Sequence, residues 1–335
     1  MEKIDFVITW VDSEDPKWQR EKEKYSPKKS FSASFDNRKE RYRDMGTLKY
    51  FFRAIDKYAP WVNKIYFVTC GQKPEWLDEN CEKLVLVNHS DYMPRDCLPT
   101  FNSNAIEASL HRIEGLSEHF VYFNDDMFIV NPVSPEDFFR NGLPVDTLSL
   151  EPILATGTAT DGFFKKIANN VQIINKYFSF RPFFKKNWRK VLSFSQGLKY
   201  WIRTATMCNY PCFSGFHCTH LPNPYLKSVW QEVWEKEPDI LNATMSFRFR
   251  NNRDSVNHWL FQYWQFASGR FETRKQSFGK LTVVGDRNLI RDVTGSRYKV
   301  LCINDDYDNE NFEQAMQELI DCFERKLPEK SQFEK

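Results

Sequence analysis

The sequence predicts an α/β fold built on a doubly wound, mostly parallel sheet, carrying a helical aromatic and basic insertion. Three observations predict it. Short, nearly continuous apolar runs rich in β-branched and aromatic residues occur at 4–11, 64–69, 84–87 and 120–123. Such runs suit strands buried on both faces. Helix-period segments at 45–59 and 105–112 alternate with them, giving strand, helix, strand, strand, helix, strand by residue 123. Carboxylates follow the first and last of these runs, and open α/β sheets bind ligands at strand carboxyl ends.

The first run, Ile4 to Val11, ends in Asp12-Ser13-Glu14-Asp15-Pro16. No glycine-rich loop follows, so neither the dinucleotide fingerprint nor the P-loop is supported. Residues 17–40 are densely charged and read as a helix and a loop. Leu48, Phe51, Phe52 and Ile55 then mark an amphipathic helix stopped by Pro60. Arg41 and Arg43 lie just before it, where an arginine either holds a phosphate or stays solvated. KIYFVT (64–69) and LVLV (84–87) are the next strands, with Gly71-Gln72-Lys73-Pro74 breaking the chain between them.

The segment from Leu98 to Phe128 organises the chain. Asn104, with Ser103 and Asn102 before it, offers caps for a helix from Ala105 to Arg112. Ile106, Leu110 and Ile113 form its apolar face, His111 reads as structural, and Gly115 stops it. The β-prone Phe120–Phe123 then delivers Asn124-Asp125-Asp126. Adjacent carboxylates at a strand end are either a solvated turn or a seat for Mg²⁺ or Mn²⁺ completed by substrate phosphate and water.

Between 161 and 205 ten Lys and Arg residues, among them Lys185 and Lys186, face only Asp161, with many aromatics interleaved. This stretch suits nucleic acid, an anionic glycan or the inner face of a membrane, or is the solvated side of core helices. Helices are expected at Tyr225–Lys236 and Asp254–Ala267, and β-prone pieces at Val283–Asp286 and Tyr298–Ile303. The latter ends in a second Asn-Asp-Asp, residues 304–306. A helix from Asn311 to Phe323 closes the fold. The expected organisation is a catalytic unit of 1–131 with 206–325, an insertion of 132–205, and a charged tail of 326–335.

At 335 residues and 41% hydrophobic the chain suffices for one large α/β domain or two, and its net charge of +2 names no partner. No signal-peptide pattern and no membrane-length run are seen, so the eight cysteines are expected to be reduced thiols in the cytoplasm. Cys208, Cys212, His217, Cys218 and His220 crowd one stretch, but their spacing matches no regular zinc pattern, and structural zinc is not expected.

Four blocks resemble the Stealth family of bacterial capsular and exopolysaccharide hexose-1-phosphoryltransferases and animal lysosomal-enzyme N-acetylglucosamine-1-phosphotransferase. They are IDFVITWVDSEDP (4–16), RYRDMGTLKYFFRAIDKYAP through NSNAIEASLHRIEGLSEHFVYFNDDMF (41–128), HLPNPYLK (220–227) with FRFRNNRDSVNHWLFQYWQ (247–265), and CINDD (302–306). The resemblance implies a nucleotide-sugar-transferase-like fold. It also implies transfer of a sugar-1-phosphate from a nucleotide-diphosphate sugar to a glycan hydroxyl, with release of the nucleoside monophosphate. On that reading His220, Asp126 and Arg250 are catalytic: His220 as general base, Arg250 on phosphate oxygens. Trp10, Asp12, Arg43, Asn102 and Asn104 meet the donor. Asp125, Asp126 and Asp305 hold Mg²⁺ or Mn²⁺. The implied partners are the nucleotide sugar and an oligosaccharide or lipid-linked glycan, without nucleic acid; peripheral contact with the inner membrane face is left open. Two rival readings are a metal-dependent glycosyltransferase releasing UDP and a non-enzymatic, zinc-stapled anion-binding module.

Overall fold

The computed structural model describes residues 2–26, 42, 44–154, 161–305 and 311–335. The first half runs β1 (Ile4–Thr9), α1 (Pro16–Tyr25), α2 (Leu48–Tyr58), β2 (Ile65–Thr69), β3 (Leu84–Asn88), α3 (His89–Tyr92), α4 (Ser103–Ala108), β4 (His119–Phe123) and β5 (Met127–Ile129). It is followed by β6 (Phe139–Arg140), β7 (Leu143–Asp146), α5 (Asp161–Tyr177), α6 (Phe180–Val191), α7 (Leu198–Met207), β8 (Asn223–Leu226) and α8 (Lys227–Lys236). The chain finishes with α9 (Pro238–Ser246), α10 (Trp259–Ala267), β9 (Glu272–Thr273), β10 (Gly279–Val283), α11 (Leu289–Thr294), β11 (Val300–Asn304) and α12 (Phe312–Lys326).

The main sheet has the order β3-β2-β1-β4-β8. Its first four strands are mutually parallel, and β8 closes the edge antiparallel to β4. The predicted α/β class with a mostly parallel sheet is therefore the observed one. Residues of β1, β2 and β4 are almost all buried, as expected of central strands covered on both faces. A second sheet, β10-β11-β5, sets β11 antiparallel to β5, with Cys302 opposite Met127. That pairing brings the Asn124-Asp125-Asp126 turn beside Asn304 and Asp305.

Several elements differ from expectation. The helix expected from Ala105 begins at Ser103 and ends at Ala108, with a separate turn at Leu110–Arg112. Asn102, not Asn104, is its cap, since the Asn104 amide donates to the Asn102 side chain at 3.1 Å. Tyr225 opens no helix. It is fully buried and pairs with Phe120 across the β4–β8 ladder, so α8 starts at Lys227. The helix expected from Asp254 starts at Trp259.

The expected charged tail is part of the core. Phe333 is fully buried with its ring 5.3 Å from that of Phe52. Arg53 of α2 donates to both carboxylate oxygens of Glu334 at 2.9 Å. One aromatic residue is enough to dock a segment that composition alone labels solvated. Phe333→Ala is expected to lower unfolding free energy by roughly 3–5 kcal/mol, the cost of emptying a buried aromatic site. Urea unfolding followed by tryptophan fluorescence measures it, and a loss below about 1 kcal/mol would mean the segment is only loosely seated.

Apolar residues of 132–205 join the same continuous core as the sheet, including Leu148, Ile167, Ile174, Phe180 and Phe183. Helix α5 is tied to the segment before α10: Asn170 donates to Asn257 at 2.7 Å, and Phe163 meets Trp259 edge-on at 5.4 Å.

Candidate active site

The carboxyl ends of β1 and β4, adjacent inner strands of the main sheet, open into a cleft of about 270 Å³. Of the residues expected at a site, Trp10, Asn104, Asp125, Asp126, His220 and Arg250 line it. They come from distant parts of the chain, and each is aimed by local structure.

Asp125 and Asp126 sit in the turn between β4 and β5, whose amide at Met127 closes onto Asn124 at 3.2 Å. The Ile303 amide of β11 donates to the Asp126 carbonyl at 2.8 Å, which seats Asn304 in the cleft wall. Asp305 follows it, half-buried and beside the lining rather than in it. Enclosure by the cleft walls, then the neighbouring Asp126 and Asp44, push the Asp125 carboxyl up to about 8; Arg250 opposes this.

Arg250 is placed by a seam between residues 247–250 and 99–103. Phe101 N–H donates to Arg248 O at 2.8 Å, and Asn102 Nδ2 to Phe247 O at 2.9 Å. The Arg250 guanidinium then reaches Ser103 Oγ at 2.8 Å. Asn102 is fully buried in this seam and does not line the cleft. Expected on the donor, it instead caps α4 and holds the seam, because its oxygen and its amide are both engaged by backbone.

His220 has a left-handed backbone, φ 49°, a conformation rare for a side chain of this size and one that clusters at functional sites. Its ring meets Trp259 edge-on at 5.1 Å. The adjacent His258 is held neutral, pushed down to about 3 by burial and secondarily by His220. Tyr225 bonds its Nδ1 at 2.8 Å. His111 packs against Trp230 and Trp234 at 6.1 and 5.8 Å, a structural position.

Asp12, expected on the donor, lines a neighbouring pocket with Asp44, Lys73 and Trp76, which shares Trp10 as a wall with the cleft. Gln72 draws it there by bonding both its N–H and its carbonyl at 2.9 Å. Arg43 lies outside the described residues, as does Asp306.

Two charged residues of the cleft escaped sequence reasoning. Glu107 of α4 is buried in the wall and accepts from Tyr122 Oη at 3.3 Å, itself 2.9 Å from Thr9 Oγ1. Burial pushes its carboxyl up to about 7, against the pull of Arg250, Ser103, Lys166 and Tyr122. Its signal was a lone acid between Ile106 and the apolar positions of the helix. Lys166 of α5 is 4% exposed and lines the same cleft. It stood in a run of lysines, where nothing marks the one that points inward. Trp18, Tyr42 and Phe101 complete the mouth, with Lys22 over the Tyr42 ring at 3.5 Å.

The donor set suits a hard divalent cation: Asp125 and Asp126 are adjacent carboxylates, and burial first, then the neighbouring Asp126, raises the Asp125 carboxyl, a cost that a cation relieves. Among the described residues no three His, Cys, Asp or Glu side chains form a ligand group by themselves. Further ligands would therefore come from phosphate and water. In the cysteine-rich stretch His217 is engaged by Glu151 at 2.7 Å and Tyr200 at 3.2 Å, while His220 turns into the cleft.

Family models match three parts of the chain: Stealth protein conserved region 1 over residues 2–30, region 2 over 41–145 and region 4 over 291–335. A capsular polysaccharide phosphotransferase, WcwK, of Streptococcus pneumoniae is 44% identical, aligned over 100% of this chain and 99% of that protein. The chain belongs to the Stealth family. A receptor polysaccharide phosphotransferase, WefC, of Streptococcus oralis is 43% identical over 100% of both chains. An exopolysaccharide phosphotransferase of Lactiplantibacillus plantarum is 38% identical over 99% of this chain and 96% of that one. Among solved structures, a galactosyltransferase crystallised with donor and acceptor sugar analogues covers 94% of this chain and 95% of its own, at 9% identity and TM-score 0.39. A likeness that distant says nothing about chemistry. Within the Stealth match, region 2 carries Asn104, Glu107, Asp125 and Asp126, and region 4 carries Asn304 and Asp305. The β5–β11 pairing thus joins two of the family's regions at the cleft floor.

Proposed function

We propose that this Stealth protein transfers a sugar-1-phosphate from a nucleotide-diphosphate sugar, a UDP-sugar, to a hydroxyl of an oligosaccharide or lipid-linked glycan. It releases UMP and leaves a phosphodiester link in a capsular or other surface polysaccharide, working in the cytoplasm. The observation that carries this reading is the meeting, in one cleft, of carboxylates Asp125 and Asp126, cations Arg250 and Lys166, and the imidazole of His220. The names of the full-length relatives, polysaccharide phosphotransferases, agree with it.

Phosphoryl transfer is mostly positioning and charge compensation. Arg250 offers a planar fork to two phosphate oxygens, while Lys166 acts as a point charge. His220 takes the proton of the attacking hydroxyl, and Trp10 and Asn104 orient the donor. Glu107, its carboxyl pushed up to about 7 by burial, accepts from Tyr122 beneath the cleft and offsets part of the charge of the two cations. Mg²⁺ or Mn²⁺ held by Asp125 and Asp126, with Asp305 nearby, would supply charge neutralisation on the diphosphate.

The test is the identity of the nucleotide released. Incubated with UDP-sugars, Mg²⁺ and a glycan acceptor, the protein is expected to release UMP, read by chromatography. Release of UDP would overturn the reading in favour of an ordinary glycosyltransferase.

A further inference from the structure

Of the nine exposed large hydrophobic side chains among the described residues, five fall between 188 and 210: Trp188, Phe194, Leu198, Ile202 and Tyr210. Helix α7 accounts for the arrangement. Its inner face is satisfied by the body of the protein. Thr204 Oγ1 accepts from Leu150 N–H at 3.1 Å, Arg203 pairs with Glu151, and Tyr200 meets His217 at 3.2 Å. Leu198 and Ile202, four residues apart, share the opposite face at 64% and 51% exposure. Phe194, 69% exposed, stacks on Trp201 at 4.9 Å and extends that face beyond the helix start. Trp201 in turn donates to Leu192 O, one turn past Trp188 of α6.

Charge distinguishes this patch from an ordinary protein interface. Lys185, Lys186, Arg189 and Lys199 are exposed around it. None of the four has an ion pair among the described residues. By contrast Lys176, Lys190 and Arg203 are neutralised by Glu237, Glu272 and Glu151. Residues 162–210 contain no acidic residue at all. Aromatic and aliphatic side chains at a helix surface, flanked by lysines and arginines, match an anionic lipid interface, where apolar groups insert and cations meet headgroups. No described helix is long and apolar enough to cross a membrane, so the contact is peripheral.

We propose that α6 and α7 form a docking surface for an anionic bilayer. Helix α5, which leads directly into α6, lines the cleft through Phe163 and Lys166. Resting on the phosphotransfer reading, the consequence is that a docked enzyme works beside the membrane, on an acceptor carried by lipid rather than one free in solution.

The test is flotation of the full chain with vesicles of phosphatidylglycerol and phosphatidylcholine in equal parts, and with phosphatidylcholine alone. Wild type is expected to float with the anionic vesicles, less so as salt rises, and to ignore the neutral ones. Leu198→Glu with Ile202→Glu, or independently Lys185→Glu with Lys186→Glu, is expected to lower partitioning by roughly 10-fold or more. Absence of flotation, equal binding to both vesicles, or unchanged partitioning of both variants overturns the proposal. So does a wild-type dimer that the Leu198/Ile202 variant dissociates without any vesicle binding, which would make the patch a self-association face. Saturable binding of a soluble glycan, lost with Lys185 and Lys186 and without flotation, overturns it in favour of a glycan site. UMP release with a water-soluble acceptor is followed in parallel and should be unchanged in both variants. Wild type that floats but turns over no donor refutes the phosphotransfer reading and leaves docking intact.

Discussion

Asp126→Asn is expected to abolish turnover while leaving the fold intact, lowering kcat by roughly 10³-fold or more, the scale of lost charge stabilisation at a reacting centre. EDTA should do the same to the wild type, and Mg²⁺ or Mn²⁺ should restore it. A second readout does not depend on catalysis. The Asp125 and Glu107 carboxyls are pushed up to about 8 and about 7, from ordinary values of 3.8 and 4.5. The unfolded chain therefore gives up these protons first, so the fold loses stability as pH rises from about 4 towards 8. A cation seated on Asp125 and Asp126 competes with the proton and offsets that loss. The rise in Tm caused by Mg²⁺ should be larger at about pH 8 than at about pH 5, and absent in Asp126→Asn. Full activity in rigorously metal-free buffer, or a Tm rise indifferent to pH and to Asp126, would sink the metal assignment.

The second large effect separates proton transfer from phosphate binding. Asparagine is the better replacement for His220, because it tolerates the left-handed backbone at φ 49° that alanine resists. His220→Asn should lower kcat by roughly 10²–10⁴-fold, the usual worth of a positioned base, with donor affinity nearly unchanged. Arg250→Ala should lower kcat and also weaken donor binding, since its charge meets the diphosphate before reaction begins. Arg250→Lys should recover only part of either, lacking the planar fork. Isothermal titration with donor and single-turnover kinetics measure the two effects. Near-normal kcat in His220→Asn, or donor affinity lost with His220 and kept without Arg250, would exchange the roles.

How far the sequence carried this reading depended on whether a signal was local. The runs at 4–11, 64–69, 84–87 and 120–123 were readable because a buried parallel strand needs apolar residues on both faces. The place of Asp125 and Asp126 at the mouth of a cleft was readable because strand ends are where such sheets open to ligands. Glu107 was not, because its meaning comes from Tyr122 and Arg250, which only the fold brings near. Lys166 was one lysine among many until α5 turned it inward. Tyr225 was read into the helix that follows it, but its ladder with β4 holds it as strand. Asn102 misled differently: a polar residue beside a site reads as a ligand, though both its amide and its oxygen bond backbone.

The pairing of β5 with β11 has a kinetic meaning. The two strands it unites lie near opposite ends of a very long excursion of the chain, so closing it costs loop entropy before any cleft exists. Contacts of such high sequence separation are slow to form. During refolding the main sheet and its aromatic core should therefore gain tryptophan burial before donor binding returns. The cleft is then a late product of folding, and a chain that binds its donor has completed nearly all of its architecture.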